Sequence, residues 1–325
     1  MNAAAKAALL AALYFAAQSN PALAQPKKSA PLPPPATASA PAAENRDAAF
    51  AAYQRGYFLT AFAEATRGAT QSDPQSMALL GELYANGLGV GRDDARAADW
   101  YKNAADRGDR QAMFALAMLR FEGRGGPRDR DDGARLLARA AKLGHPAAAY
   151  DLGLLYMQGQ QFPQDLSRAA ELLKVAADAG NPESQYALAT LYKDGRGVAK
   201  DEAQAMRLMR QAATAGNVDA MAEFAIAQFN GSSVAKDEAA ASTLFLKAAR
   251  RGSAIAQNRL ARILSTGRGA PADPVEAMKW HIIAKEGGRA DPELDKYMAA
   301  QKADDRAAAE KFAKLWLSTA VRVNP

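Results

Sequence analysis

Cysteine is absent from the 325-residue sequence, and histidine occurs only twice. The absence of cysteine excludes disulfides, cysteine-ligated zinc, iron–sulfur clusters, thiol nucleophiles and a lipidated N-terminal cysteine. Aromatic residues make up only 7% of the chain, whereas alanine occupies 81 positions. So much alanine is unfavourable in β-sheets and typical of closely packed helices. The composition therefore predicts an all-α protein.

A large excess of charge of one sign is also lacking: the chain has 41 Lys and Arg and 35 Asp and Glu, which gives a net charge of +6. Three of the positive charges, Lys6, Lys27 and Lys28, precede the first acidic residue, Glu44. From Glu44 onward the excess is 38 minus 35, or +3, with both signs interspersed. We expect an ordinary solvated surface and no nucleic-acid partner.

Long apolar runs are lacking except near the N-terminus, where Lys6 precedes the apolar residues 7–17 and Ala22-Leu23-Ala24. This pattern predicts a signal peptide over residues 1–24. The run is too short to cross a bilayer as a helix, so no stable membrane insertion is expected after cleavage; an uncleaved anchor is the alternative. Residues 25–43 contain six prolines among alanine, serine and threonine, which predicts a disordered linker.

The rest of the chain has a period of 36 residues, carried by two series of glycines and one of aspartates. The first glycine series is Gly87, Gly123, Gly159, Gly195, Gly231 and Gly267. The second is Gly108, Gly144, Gly180, Gly216, Gly252 and Gly288. The aspartates are Asp93, Asp129, Asp165, Asp201, Asp237 and Asp273. Together they define six repeats over residues 73–288.

Each repeat is predicted to form a helix A, a loop and a helix B. Helix A has one bulky apolar residue, here called the spine residue, followed by a small residue that allows close helix packing. The spine residues are Leu80, Leu116, Leu152, Leu188, Phe224 and Leu260. The first glycine is predicted to cap helix A in a left-handed conformation, and the aspartate to cap helix B. Gln204 and Glu276 are predicted to complete capping boxes in two repeats.

A single helical hairpin cannot bury both of its faces, so the repeats must stack. We therefore predict a right-handed α-solenoid of antiparallel helix pairs. Residues 44–72 are predicted to form an N-terminal capping hairpin, and residues 289–325 C-terminal capping helices and a tail.

This pattern resembles the Sel-one-like repeat (SLR) family, a branch of the tetratricopeptide-like α-solenoids. The resemblance covers about 216 of 325 residues and rests on the 36-residue spacing, the Leu-Ala/Gly pair of helix A, the Gly-x-Gly-Val loops at 87–90 and 195–198, and the Ala-Ala of helix B. Repeats three and five lack the second loop glycine. The resemblance implies an adaptor or regulator that binds other proteins, often in the bacterial periplasm or at secretory membranes. It implies no catalysis and identifies no binding residues.

Residues with catalytic chemistry are few. The Gly-x-Gly loops follow a helix instead of a strand, which excludes the usual phosphate-binding arrangement. His145 falls in a turn and His281 in a packing position of helix B, and neither has a partner for a triad or a metal site. We predict no catalytic residue, cofactor or metal. The alternative, an enzyme acting on cell-wall or antibiotic substrates, would need convergent ionisable groups, whereas Glu183, Lys193 and Asp194 are scattered.

A partner-binding groove is predicted on helix A, which is expected to line the concave face. Its positions lie five and two residues before the spine residue and two, five and six after it. The predicted partner-binding residues are Phe114, Met118, Phe121, Tyr150, Leu154, Met157, Tyr186, Lys193, Ile226 and Phe229. An apolar stripe between more polar end repeats is typical of a groove for a peptide or helix. The alternative is that these side chains pack between neighbouring helices.

The sequence therefore predicts a secreted, periplasmic repeat protein that binds a protein or peptide on its concave surface as an adaptor or regulator. A structural component of a larger envelope assembly is a further alternative.

Overall fold

The computed structural model describes the backbone of residues 40–323 and the side chains of residues 44–319. This part of the chain contains sixteen helices and no strand, and none of its helices is both long and apolar enough to cross a membrane. The predicted signal peptide, residues 1–24, lies outside the described residues, as does the predicted linker up to residue 39. The first helix begins at Ala40, with Pro41 in its first turn, where no backbone N–H is needed.

The helices fall into a leading hairpin, six repeats and two C-terminal helices. The leading hairpin comprises Ala40–Gln54 and Phe58–Thr70. The A helices are Pro74–Asn86, Arg110–Glu122, Pro146–Gln158, Pro182–Asp194, Val218–Asn230 and Ala254–Thr266. The B helices are Asp94–Asp106, Arg130–Lys142, Leu166–Asp178, Glu202–Ala215, Glu238–Arg250 and Pro274–Glu286. The C-terminal helices are Pro292–Ala299 and Ala303–Val323.

Stacking of nearest neighbours holds the repeats together. From the second repeat on, each A helix packs against the B helix of its own repeat and against the B helix of the preceding repeat. The A helix of the first repeat packs against Phe58–Thr70 in the same way, and the last helix packs against the final B helix. The predicted all-α solenoid is confirmed.

The spine residues form the core of this stack, since each is at most 9% exposed. The small residue beside each spine residue lies where the two helices of a repeat meet. At Gly81, a Cβ atom would lie 2.6 Å from the ring of Tyr101, which comes from helix B. Only glycine fits there without moving the tyrosine, because interiors are packed to near-crystalline density.

The predicted caps form at both ends of the loop. All six glycines of the first series adopt left-handed φ angles between 66° and 73°. Each aspartate of the series accepts a hydrogen bond from a backbone N–H in the first turn of helix B. These bonds satisfy N–H groups that have no partner inside the helix.

The capping boxes predicted at Asp201 and Asp273 are wrong. In a capping box, the backbone N–H of the capping residue donates a hydrogen bond to the side chain three positions later. Here the N–H of Asp201 donates to the carbonyl of Tyr192, and that of Asp273 to the carbonyl of Leu264, both at 3.0 Å. The backbone N–H that a capping box requires is therefore bonded to a carbonyl near the end of helix A.

The second glycine, present in four of the six loops, lies against the helix that begins about 31 residues earlier in the chain. Gly89, Gly125, Gly197 and Gly269 also have positive φ angles. At each of them a Cβ atom would lie within 2.9 Å of the backbone at the start of an earlier helix; at Gly125 and Gly197 it would lie 2.2 and 2.3 Å from the carbonyl oxygens of Asp94 and Leu166. The loop of one repeat thus rests on the first turn of helix B of the repeat before it.

Candidate functional site

All ten predicted partner-binding residues lie on the A helices of repeats two to five, and all ten are partly exposed. We call this set the A-helix surface. Eight of its nine apolar members pack with one side against the buried core clusters. Leu154 is partly exposed and lies outside both clusters. Packing and exposure are therefore combined in the same side chains.

At the repeat-two end, the A-helix surface is held rigidly by aromatic contacts. The ring of Phe114 stacks on the imidazole of His145 with a centroid distance of 4.7 Å and an interplanar angle of 19°. Phe121 lies over Gly133 of helix B, where an added Cβ would be 2.9 Å from the ring. Both rings are thereby restrained on one side.

His145 is the N-cap of the third A helix. Its Nδ1 accepts a hydrogen bond from the N–H of Ala148 at 3.1 Å, so Nε2 carries the proton and donates to Oε1 of Gln111 at 2.9 Å. Burial, and then the charge of Arg110, lower the pKa of His145. Both nitrogens are engaged, which leaves the ring in a structural role.

The other A helices are capped in the same way, although the sequence prediction did not include these caps. The side chain of each capping residue accepts a hydrogen bond from the backbone N–H three residues later, at 2.6 to 3.3 Å. These capping residues are Asp73, Asp109, Asn181, Asn217 and Ser253. Because the residue type at this position changes from repeat to repeat, the caps do not form a series of identical residues in the sequence.

In the middle of the A-helix surface, Tyr186 and Lys193 share one acidic partner, Glu223 of the next A helix. The tyrosine hydroxyl donates to Oε1 of Glu223 at 2.8 Å, and the lysine Nζ lies 2.6 Å from Oε2. Burial, and then the bond to Glu223, raise the pKa of Tyr186. The charge of Lys193 is therefore balanced within the chain, a pairing that the sequence prediction did not include.

The repeat-five end contains a cavity of about 340 Å³. Ile226 and Phe229 line it together with Arg259, Arg262 and Arg268. One face of Phe229 is covered by the Arg268 guanidinium, 4.9 Å from the ring centroid. The cavity therefore combines apolar side chains with arginines, of which Arg262 is paired with Asp291 and Arg268 with Glu238.

Two polar networks flank the A-helix surface. In the first repeat, Glu82 accepts hydrogen bonds from the hydroxyls of Tyr53 at 3.3 Å and Tyr101 at 3.4 Å. In the last, Arg262 forms a two-pronged ion pair with the buried Asp291 at 2.7 and 2.8 Å. The polar ends predicted from the sequence thus connect the repeats to the capping helices.

Asp151, which the sequence prediction did not include, lies next to the spine residue Leu152 and is partly exposed. Burial raises the pKa of its carboxyl to about 7. Among the described residues it makes no side-chain hydrogen bond or ion pair.

Within residues 44–319, no three His, Asp or Glu side chains lie close enough together to hold a metal ion. The second histidine, His281, is 1% exposed, and its Nε2 is 2.8 Å from Asp295. What the described side chains offer is a row of anchored apolar groups with a few charges, an arrangement suited to non-covalent binding.

Comparison with known proteins agrees with this fold. Six consecutive segments match the family model of the Sel1 repeat, at residues 74–109, 110–145, 146–181, 182–217, 218–253 and 254–288. A Sel1 repeat protein from Oxalobacter formigenes is 27% identical over 74% of this chain and 99% of its own, with a TM-score of 0.64. A protective antigen of uropathogenic Escherichia coli with an SLR fold is 26% identical over 85% of this chain and 68% of its own, with a TM-score of 0.58. No curated protein matches the sequence.

Proposed function

The chain belongs to the Sel1 repeat family, whose members generally mediate protein–protein interaction, and from that membership we propose that it is an adaptor or regulator whose A-helix surface binds a protein or peptide. One observation carries the proposal. A set of apolar side chains stays partly exposed on the A helices of repeats two to five, and the lysine among them, Lys193, is paired with Glu223 within the chain.

Such a surface is suited to binding because its side chains are already held in place. Phe114 is restrained by His145, and Tyr186 by Glu223. Ordering a side chain at an interface costs about 0.5–1.5 kcal/mol, so groups that are already fixed lose less on association. The exposed faces of these residues can then bury apolar area against a partner at about 25 cal/mol per Å².

Leu154 is the member of the surface best suited to a test. We expect Leu154→Gln to weaken capture of the partner about tenfold or more, because full burial of a leucine contributes about 1.5–3 kcal/mol. The melting temperature should change little, because Leu154 is partly exposed and lies outside the core clusters. The measurement is affinity capture from an extract of the native cell envelope, quantified by mass spectrometry.

Val175 supplies the matched control, since it is an apolar residue of the same repeat that is 41% exposed on helix B. Val175→Gln should capture the same proteins as the unaltered chain. Equal capture by the Leu154→Gln and Val175→Gln variants would contradict binding on the A-helix surface.

Secretion to the periplasm is part of the proposal and is supported by the residue pattern of positions 1–24. We expect the chain isolated from its native organism to begin at Gln25. Mass spectrometry of its N-terminal peptide after osmotic release of the periplasm tests this. Recovery of a chain that still carries Met1 in the membrane fraction would instead support an uncleaved anchor.

A further inference from the structure

At one equivalent position of helix A, the charge of the residue differs from repeat to repeat. It directly precedes the spine residue, and we call it the seam position. Its occupants in repeats one to six are Leu79, Ala115, Asp151, Ala187, Glu223 and Arg259. Three of them are charged, and these three have different neighbours in the structure.

Repeat five shows what the seam position faces. Glu223 is contacted by Tyr186 and Lys193, which lie two residues before and five residues after the spine residue of the preceding A helix. Repeat six confirms this register, because Arg259 shares its cavity with Phe229, again five residues after the preceding spine residue. From this register we infer that a seam residue lies beside the same two positions of the repeat before it.

In repeat three these two facing positions hold Phe114 and Phe121, neither of which can donate a hydrogen bond. Asp151 accordingly has no side-chain partner among the described residues, although its side chain is only partly exposed. Phe114 cannot turn away readily, because its ring is stacked on His145 at 4.7 Å. By the register of Glu223, Asp151 is therefore an acidic group beside two aromatic positions that supply no cation.

We propose that Asp151 binds a primary ammonium group of the partner, such as a lysine side chain, in the place that Lys193 takes beside Glu223. This inference rests on the proposed function and specifies the chemistry of the partner. The chain itself contains the template: an ammonium 2.6 Å from a seam carboxylate, with an aromatic residue two positions before the spine. The phenylalanines of repeat two suit the aliphatic stem of a lysine and attract its charge through their ring faces.

A cation at this place would also reduce the free-energy cost of keeping the Asp151 carboxylate ionised. A carboxylate that is partly withdrawn from water and unpaired is costly, which is why burial raises the pKa of Asp151. A partner ammonium would stabilise the ionised form. Binding should therefore be stronger at about pH 8 than at about pH 5, where more of the carboxyl is protonated.

The experiment uses n-butylammonium as the probe and the folded, full chain labelled on its methionine methyl groups. Met118 lies between Phe114 and Phe121 on the same helix face, and its methyl resonance reports occupancy. We expect a saturable shift of this resonance, with binding about tenfold weaker or more for n-butanol, which has the same stem without the charge. Equal binding of the alcohol and the ammonium ion would overturn the proposal.

Two variants make the assignment specific to Asp151. Asp151→Asn removes the charge at nearly constant size, and Phe121→Lys places an ammonium where repeat four has Lys193. Each should weaken n-butylammonium binding about tenfold or more, and Asp151→Asn alone decides the result if Phe121→Lys does not fold. Unchanged binding by the Asp151→Asn variant would overturn the site.

Partner capture separates this inference from the proposed function. Loss of capture with Leu154→Gln but full capture with Asp151→Asn would leave binding on the A-helix surface intact and overturn Asp151 as the lysine site. Loss of capture with both variants, together with the expected n-butylammonium result, supports both.

Discussion

Gly197→Ala is expected to lower the free energy of unfolding by about 3 kcal/mol. Two effects add at this position. An alanine in the left-handed conformation that Gly197 adopts costs about 1–2 kcal/mol. In addition, the new Cβ would lie 2.3 Å from the carbonyl oxygen of Leu166, so the loop of repeat four must move away from helix B of repeat three, at a further cost of about 1–3 kcal/mol.

Gly180→Ala is the matched control, because Gly180 also has a positive φ angle but has no atom within 4 Å of the added Cβ. It should cost only about 1 kcal/mol, the conformational part alone. Urea unfolding followed by far-ultraviolet circular dichroism measures both variants. Equal destabilisation would mean that the contact between the loop and the preceding repeat contributes nothing.

The role of this glycine shows where sequence analysis was sufficient and where it was not. The period of 36 identified the glycine, and helix capping explained the first glycine of the loop. The second glycine is required by a backbone about 30 residues earlier in the chain. Such a contact depends on how consecutive repeats stack, which the pattern inside one repeat does not contain.

The two repeats without the second glycine illustrate the same limit. Repeat five has Ser233, whose φ is 59° and whose hydroxyl donates to Glu202 at 2.8 Å. Repeat three has Gln161, whose amide donates to Asp131. In both repeats, a side-chain hydrogen bond to the first turn of the preceding helix B replaces the close backbone contact that the glycine makes in the other loops.

The candidate surface could be predicted as a face, because helical periodicity fixes which residues share one side of an A helix. Its internal pairings could not. Lys193 and Glu223 are 30 residues apart, and Phe114 and His145 are 31 apart. Both pairs depend on the offset between neighbouring A helices, so Lys193 was predicted as a contact for the partner although its charge is already paired with Glu223.

The same offset leads to the second large expected effect, a dependence of stability on the ionisation of Asp151. Its carboxyl has a pKa of about 7 in the folded chain against an ordinary value of 3.8. The folded state therefore holds a proton that the unfolded state has already released. Below about pH 3 the group is protonated in both states, and its cost to stability develops as the pH rises towards 7 and is complete above it.

We expect the Asp151→Asn variant to escape this loss. At about pH 4 the variant and the unaltered chain should have similar stability, whereas at about pH 8 the variant should be more stable by about 2 kcal/mol. That value is roughly half of what a shift of this size would give for a fully buried group, because the side chain is partly exposed. Tyr150, whose pKa is raised to about 12 by burial first and then by Glu183 and Asp151, stays protonated throughout.

Urea unfolding of both chains at the two pH values isolates this group, since every other titration is common to both and cancels in the difference. Asp194→Asn, at an exposed position of the next A helix, should show no such pH-dependent gain. Parallel stability curves for the unaltered chain and the Asp151→Asn variant would mean that an internal donor or water already satisfies the carboxylate. A difference that grows with pH would instead show that repeat three holds an unneutralised acid at the position where the acid of repeat five, Glu223, is paired with Lys193 of repeat four.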